Sequence, residues 1–149
     1  MGLIDDVAGG PAALDTSVFI YFIEQDPEFL PLVKPLFEAI DAGRLSAVTS
    51  AVTLLETLVV PLRQGDRALA QRYEALLVGS RGLTMLDLER PLLRSAALVR
   101  ATSGVKTPDA LQIAAALALR ATVFITNDRD LKRVPDIRVL RLRDYLPKR

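Results

Sequence analysis

The sequence of 149 residues contains no histidine and no cysteine. It therefore cannot carry a Ser-His-Asp triad, a Cys-His pair or a histidine general base, and nearly all zinc sites are excluded. Any chemistry must depend on carboxylates, hydroxyls, amides, lysine or arginine. Sites built only from oxygen ligands suit hard divalent cations such as Mg²⁺ or Mn²⁺.

Long apolar segments are also missing. The sequence has no apolar run of about 18 residues, which is the length a membrane-spanning helix requires. Its start lacks the basic flank and apolar region of a secretory signal. We therefore expect a cytoplasmic protein without a membrane partner. Half of the residues are apolar and a quarter are charged, which is typical of a compact domain that buries its core without disulfides.

Charge is distributed unevenly, although the formal net charge is only +1. Residues 1–28 contain six acidic side chains and no lysine or arginine. Residues 129–149 contain eight basic side chains against three acidic ones: Arg129, Lys132, Arg133, Arg138, Arg141, Arg143, Lys148 and Arg149. This basic segment is either an ordinary solvated surface or a rim that attracts a polyanion to an acidic metal site.

Short apolar segments alternate with amphipathic ones along the whole chain. We predict strands at 12–15, 45–49, 82–86, 121–126 and 139–142, with helices between them and a short helical piece at 131–133. Strands that alternate with helices favour a three-layer α/β/α domain with a mainly parallel central sheet.

Glycine and proline indicate where regular structure should stop. Residues 1–11 end in Gly-Gly-Pro, so we expect a loose leader followed by one domain over 12–146. Pro61 and Gly65-Asp66 are expected to mark a break in the helical region that follows the second strand, and either Thr49 or Ser50 can cap the first helix of that region.

Four acidic residues stand at strand ends or helix starts: Asp15, Glu56, Asp109 and Asp128. Each has an ordinary interpretation, because aspartate is common in turns and at helix starts and glutamate is common on surfaces. However, open parallel sheets bind their ligands at the carboxyl ends of the strands, where Asp15 is expected to lie. Asp109 also shares a helix face with Gln112, three residues later. The joint pattern favours divalent metal ions that hydrolyse a nucleic-acid backbone.

The segments around these acids resemble a known family. They read Leu-Asp15-Thr-Ser, Ser-Ala-Val-Thr-Leu-Leu-Glu56, Thr-Pro-Asp109-Ala-Leu-Gln-Ile-Ala-Ala-Ala and Ile-Thr-Asn-Asp128. In this order they look like a PIN domain, and within that group they are most similar to the VapC-type toxins of bacterial and archaeal toxin–antitoxin pairs. The resemblance covers residues 12–146.

The resemblance implies a Rossmann-like PIN fold and an endoribonuclease that depends on Mg²⁺ or Mn²⁺. It implies an acidic quartet of catalytic metal ligands at Asp15, Glu56, Asp109 and Asp128, and polar supports at Thr16, Ser17, Thr126 and Asn127. Asp130 lies in the same turn as Asp128 and is a possible substitute ligand, although we favour Asp128. The implied partners are an RNA substrate, a cognate antitoxin and a second copy of the chain.

Three alternatives compete with the nuclease. A receiver-type phosphorelay domain would use a lysine such as Lys106, but its acceptor position falls at Glu56, which is on a predicted helix. A haloacid-dehalogenase-like phosphatase needs Asp-x-Asp after the first strand, where this chain has Ser17. A non-catalytic module that binds RNA or protein would tolerate the loss of an acid, and all four are present. We therefore expect a nuclease.

Overall fold

The computed structural model describes residues 2–131, 134 and 136–148. In chain order, the elements in those residues are α1 Leu3–Val7, β1 Ala12–Leu14, α2 Thr16–Ile23, α3 Leu30–Asp41, β2 Ala47–Ser50, α4 Val52–Arg63, α5 Arg67–Gly79, β3 Leu83–Leu86, α6 Arg90–Ser103, α7 Thr107–Ala118, β4 Val123–Thr126, β5 Arg138–Arg141 and a 3-10 helix Leu142–Tyr145. The helical piece expected at 131–133, and with it the basic residues Lys132, Arg133 and Arg149, lies outside the described residues except for Leu131.

The five strands form one sheet in the order β3-β2-β1-β4-β5, and every pair in it is parallel. Leu14 of β1 is in register with Ile125 of β4, and Thr126 is in register with Arg141 of β5. The chain builds outward from β1 to β2 and β3, then crosses to the other side of β1 with β4. The strand order therefore reverses between β1 and β4. At such a topological switch point, open parallel sheets leave a crevice that binds ligands.

Apolar side chains cover both faces of the sheet. Leu14 and Ile125 belong to a core cluster with residues of α2, α3 and α5. Their neighbours Ala13 and Phe124 point to the opposite face, where they pack with residues of α7. Because side chains alternate along a strand, strands buried on both faces need a helical layer on each side. The predicted three-layer α/β/α architecture is confirmed. Among the described helices, none has the length and apolar character needed to cross a membrane.

The expectation of a loose leader at 1–11 is wrong for the residues described there. Leu3 and Val7 lie four positions apart on α1, and their side chains are only 3% and 2% exposed within the main core cluster. Asp6 accepts a hydrogen bond from the Tyr145 hydroxyl and lies 3.8 Å from the Arg138 guanidinium. Burial of one apolar face and these contacts with the other end of the chain hold the segment against the domain.

Two local predictions around α4 also need correction. Pro61 does not interrupt the helix but lies buried inside it. The break predicted at Gly65-Asp66 is confirmed, since α4 ends at Arg63, Gly65 adopts a left-handed φ of 70° and Asp66 caps α5. A proline this close to the end removes only one late hydrogen bond of the helix. Ala51, and neither Thr49 nor Ser50, occupies the N-cap position, although the Ser50 hydroxyl accepts a hydrogen bond from the Val52 amide at 3.2 Å.

Candidate active site

The predicted site residues come from four separate elements around the crevice between β1 and β4. Asp15 directly follows β1 and is the N-cap residue of α2. Asp128 follows Thr126, the last residue of β4. Asp109 lies in the first turn of α7. Glu56 lies inside α4, past its first turn, so the expectation that it stands at a strand end or helix start is wrong. The parallel sheet therefore brings Asp15 and the Asp128 turn to the same edge.

Both oxygens of the half-buried Asp15 carboxyl group are engaged. Its Oδ1 accepts a hydrogen bond from the Thr16 amide at 2.8 Å, and its Oδ2 accepts one from the Thr126 hydroxyl at 2.7 Å. The Thr126 Oγ1 in turn accepts the Asp128 amide at 3.0 Å, which ties the two acidic segments together. Burial raises the pKa of Asp15, the bonds from Thr126 and Thr16 lower it, and the charge of Asp128 raises it, with a net increase.

Asp109 is the most perturbed carboxyl group of the site. Its pKa rises from 3.8 to about 6, first because of burial and then because of the negative charges of Asp128 and Asp15. A hydrogen bond with Asp128 and the charge of Glu56 contribute further increases. The other three predicted acids therefore all lie within electrostatic reach of Asp109.

Glu56 is held by a hydroxyl from another helix. The Thr16 Oγ1 donates a hydrogen bond to Glu56 Oε1 at 2.8 Å and lies 3.3 Å from the Thr53 Oγ1. Thr53 is one turn before Glu56 on the same face of α4. The orientation of Glu56 thus depends on α2 as well as on its own helix.

A buried polar network supports this arrangement, and sequence reasoning did not find it. The side chain of Gln112 accepts a hydrogen bond from the Ser50 amide at 3.1 Å and donates one to Thr53 at 2.6 Å. Thr49 lies 2.8 Å from Thr53 and donates to the Leu14 carbonyl at 3.0 Å. The only signal in the sequence was Gln112 itself, a polar residue on the apolar face that it shares with Asp109.

The remaining polar positions play different structural parts. The Asn127 amide group donates to the Tyr21 hydroxyl at 3.1 Å, and its carbonyl accepts from the Arg143 amide at 3.1 Å, so it braces the turn. The buried Ser17 Oγ has no hydrogen-bond partner among the described residues. The exposed Asp130 donates its amide to Asp128 Oδ1 at 2.9 Å and lines a cleft with Asp109 and Asp128.

The donor set fits the chemistry of a hard divalent cation. It consists of carboxylate and hydroxyl oxygens, and a nearby cation would offset the repulsion that raises the pKa of Asp15 and Asp109. The buried, unpartnered hydroxyl of Ser17 leaves further polar capacity beside Asp15. Across the described residues, however, no three carboxylates are positioned together as a coordination shell. In this arrangement Asp15, Glu56 and Asp128 use carboxylate oxygens in hydrogen bonds with the protein.

Comparison with known proteins supports the fold. A family model for the PIN domain matches residues 12–137. VapBC2 of Rickettsia felis, solved with a promoter DNA fragment, aligns with a TM-score of 0.67 and 17% identity over 88% of this chain and 98% of that chain. VapC20 of Mycobacterium tuberculosis, described as a sarcin-ricin loop cleaving toxin, aligns with a TM-score of 0.62 and 16% identity over 84% and 91%. VapBC-5 of the same organism aligns with a TM-score of 0.53 and 27% identity over 89% and 99%.

No protein of curated function matches the chain at a significant level. The family model nevertheless spans most of the sequence and includes all four acids of the site, Asp15, Glu56, Asp109 and Asp128. The fold, the position of the crevice and this match agree with one another. The chain belongs to the PIN domain family.

Proposed function

We propose that the protein is a metal-dependent endoribonuclease and the toxin of a toxin–antitoxin pair. The observation that carries this proposal is the convergence of acids from separate elements on one crevice: Asp15 follows β1, Asp109 begins α7, and Asp128 follows β4 and lines a cleft with Asp109. The raised pKa of Asp109, caused by burial and by the charges of Asp128, Asp15 and Glu56, agrees with this convergence. A crowd of partly buried carboxylates in a crevice is energetically costly in the isolated protein. Such a perturbed cluster is typical of a functional site.

In this proposal Asp15 is the central metal ligand, Asp109 and Asp128 complete the site, and Glu56 binds metal or positions water. Bound Mg²⁺ or Mn²⁺ would supply an activated water and stabilise charge on the phosphate. The Thr126 hydroxyl holds the Asp15 carboxylate, and the Thr16 hydroxyl holds Glu56. Supports of this kind fix the orientation of ligands and are part of a functional metal site.

We assign the fourth carboxylate to Asp128 and not to Asp130. The Asp128 side chain contacts Asp109 and raises the pKa of both Asp109 and Asp15. Asp130 is exposed at the rim of the cleft, and its backbone amide orients the Asp128 carboxylate.

Water is the proposed nucleophile. The chain contains no histidine, the commonest general base, and in this proposal the carboxylates are assigned to metal and water and not to the proton of a ribose 2′-hydroxyl. Hydrolysis by water leaves a 5′-phosphate on one product and a 3′-hydroxyl on the other.

We further propose a homodimer and an antitoxin partner in the cytoplasm. Leu55, Val59 and Leu62 form an apolar stripe on α4 at helical spacing and are 63%, 40% and 61% exposed. We assign this stripe to the second copy of the chain, because exposed apolar surface of this kind usually marks an interface. An apolar groove between α2, α3 and α5, lined by residues such as Phe22 and Phe37, is assigned to an antitoxin. One of the similar structures is described as a member of a family of toxin–antitoxin systems, and another is described as a toxin.

The test is cleavage of single-stranded RNA by the purified protein with Mg²⁺ or Mn²⁺ and with EDTA. Asp15→Asn is expected to abolish cleavage, whereas Glu74→Gln, an exposed carboxylate on α5, is expected to leave it unchanged. Cleavage that persists in EDTA, or an Asp15→Asn variant as active as the wild type, would contradict the proposal. Binding of RNA by the wild type without any cleavage would favour the non-catalytic module.

A further inference from the structure

We propose that Lys106 holds a backbone phosphate of the RNA strand beside the carboxylate site and is a positioning residue for the reaction. This inference rests on the proposed function, since it presumes an RNA substrate. It assigns a role to a side chain that neither the acidic quartet nor its polar supports include.

Lys106 is placed by the start of α7. It is the N-cap residue of that helix, with an extended backbone, and lies three positions before Asp109. Its side chain is exposed and lines the cleft to which Asp109, Asp128 and Asp130 contribute. Among the described residues that line this cleft, Lys106 is the only basic one.

The ammonium group is available for a ligand. The ion pairs found in the described part of the chain join Arg138 to Asp6 and Arg143 to Glu28, and Lys106 takes part in neither. Lysine carries a compact charge on a flexible stem, so it can reach a phosphate without a preformed partner.

An RNA strand needs such a cation at this place. The carboxylates of the site repel the phosphates that must approach them, and a nearby positive charge offsets that repulsion. Three described arginines of the basic C-terminal segment are less suited to this task, because none of them lines the cleft. Arg138 and Arg143 already face carboxylates, and the Arg141 guanidinium donates to the Arg129 carbonyl at 3.4 Å.

The geometry also limits what Lys106 does. It lines the same cleft as the carboxylates but stays beyond ion-pair distance of them in the described structure. We therefore assign it to a phosphate that flanks the reacting one. Loss of such a contact weakens substrate binding in the ground state and the transition state equally, so KM rises and kcat changes little.

Binding is measured by fluorescence anisotropy with a labelled single-stranded RNA in EDTA, where no cleavage is expected. At about 0.1 M monovalent salt, Lys106→Met is expected to bind about fivefold more weakly, and the slope of log K against log salt becomes shallower by about 0.7, the value for one phosphate contact to a single strand. Lys106→Arg should restore both values. Lys34→Met, which removes an exposed lysine on α3, is the matched control and should match the wild type.

Steady-state cleavage with Mg²⁺ supplies the second readout, with KM raised about fivefold and kcat within about twofold for Lys106→Met. The inference is overturned if the wild type binds and cleaves RNA while Lys106→Met keeps its affinity and salt slope, or if only kcat falls. A wild type that neither binds nor cleaves RNA overturns the proposed function first, and the two failures are therefore distinguishable.

Discussion

Replacement of Asp109 by asparagine should stabilise the metal-free protein at neutral pH. The carboxyl group has a pKa of about 6 in the native state against 3.8 ordinarily, so the native state binds this proton more tightly than the unfolded chain. For such an acid, stability is greatest below about pH 3.8 and is lost as the pH rises through about 6. Asparagine has nearly the same shape but carries no charge to lose.

The size of the effect follows from the same values. A pKa shift of one unit corresponds to 1.36 kcal/mol, so the shift from 3.8 to about 6 corresponds to about 3 kcal/mol in the free energy of unfolding. Because Asp109 is only partly buried, screening by water reduces this figure, and we expect about 1 kcal/mol. For a chain of this length that gain raises the Tm by about 2–4 °C. If Asp109 were an ordinary helix-start acid, asparagine would instead cost about 0.3–1 kcal/mol, because the charge would stabilise the N-terminus of α7.

The assay is thermal unfolding followed by circular dichroism in EDTA at about pH 7.5 and again near pH 4, with Glu74→Gln as control. The gain of Asp109→Asn over the wild type should be present at the higher pH and shrink near pH 4, where the wild-type carboxyl group is protonated. Mg²⁺ should raise the Tm of the wild type more than that of the variant. A lower Tm for Asp109→Asn at pH 7.5, together with no response of the wild type to Mg²⁺, would refute the reasoning.

Three further outcomes are expected. Asp15→Asn should abolish RNA cleavage yet leave the metal-free Tm unchanged or higher, since burial of the charge raises the pKa of Asp15 despite its two hydrogen bonds; a clear loss of stability would contradict this. Gln112→Leu should lower the free energy of unfolding by about 1–3 kcal/mol, because the buried Ser50 amide and Thr53 hydroxyl lose their hydrogen bonds to Gln112, and it should slow cleavage. Urea unfolding of this variant that matches the wild type would argue against the network. Leu55→Glu should convert a dimer to a monomer in light scattering, whereas Leu98→Glu, similarly exposed on α6, should not; a wild type that is already monomeric would exclude the α4 interface.

Much of the fold was predictable because local patterns and tertiary burial agree. The apolar segments around 12–14 and 123–126 form central strands, and their near-continuous apolar character reflects burial on both faces. The prediction of a loose leader at 1–11 was wrong because Gly9, Gly10 and Pro11 indicate a break in regular structure. The spacing of Leu3 and Val7 favours a helix, but two apolar residues stabilise a helix only when they pack against a core. The break predicted at Pro61 was wrong for a similar reason. Tertiary packing keeps this buried proline inside α4, although helix propensity disfavours it.

The candidate site was partly accessible from sequence. Acids at strand ends and helix starts follow from the logic of parallel sheets, so Asp15 and Asp128 were expected to approach each other. The network of Gln112, Thr53 and Thr49 joins segments about 60 residues apart in the chain, and no local pattern reveals such hydrogen bonds. The sequence pattern indicates Lys106 only as the lysine of a receiver-type site, and its place in the cleft depends on the packing of α7 against the sheet.

The most direct test of the central claim is the chemistry of the RNA ends produced by the wild-type protein with Mg²⁺ or Mn²⁺. The account predicts 5′-phosphate and 3′-hydroxyl ends, formed with either ion and absent when EDTA is added or Asp15 is replaced by asparagine. Products that end in a 2′,3′-cyclic phosphate would contradict it, because they require attack by the ribose hydroxyl and leave the four carboxylates without their proposed role.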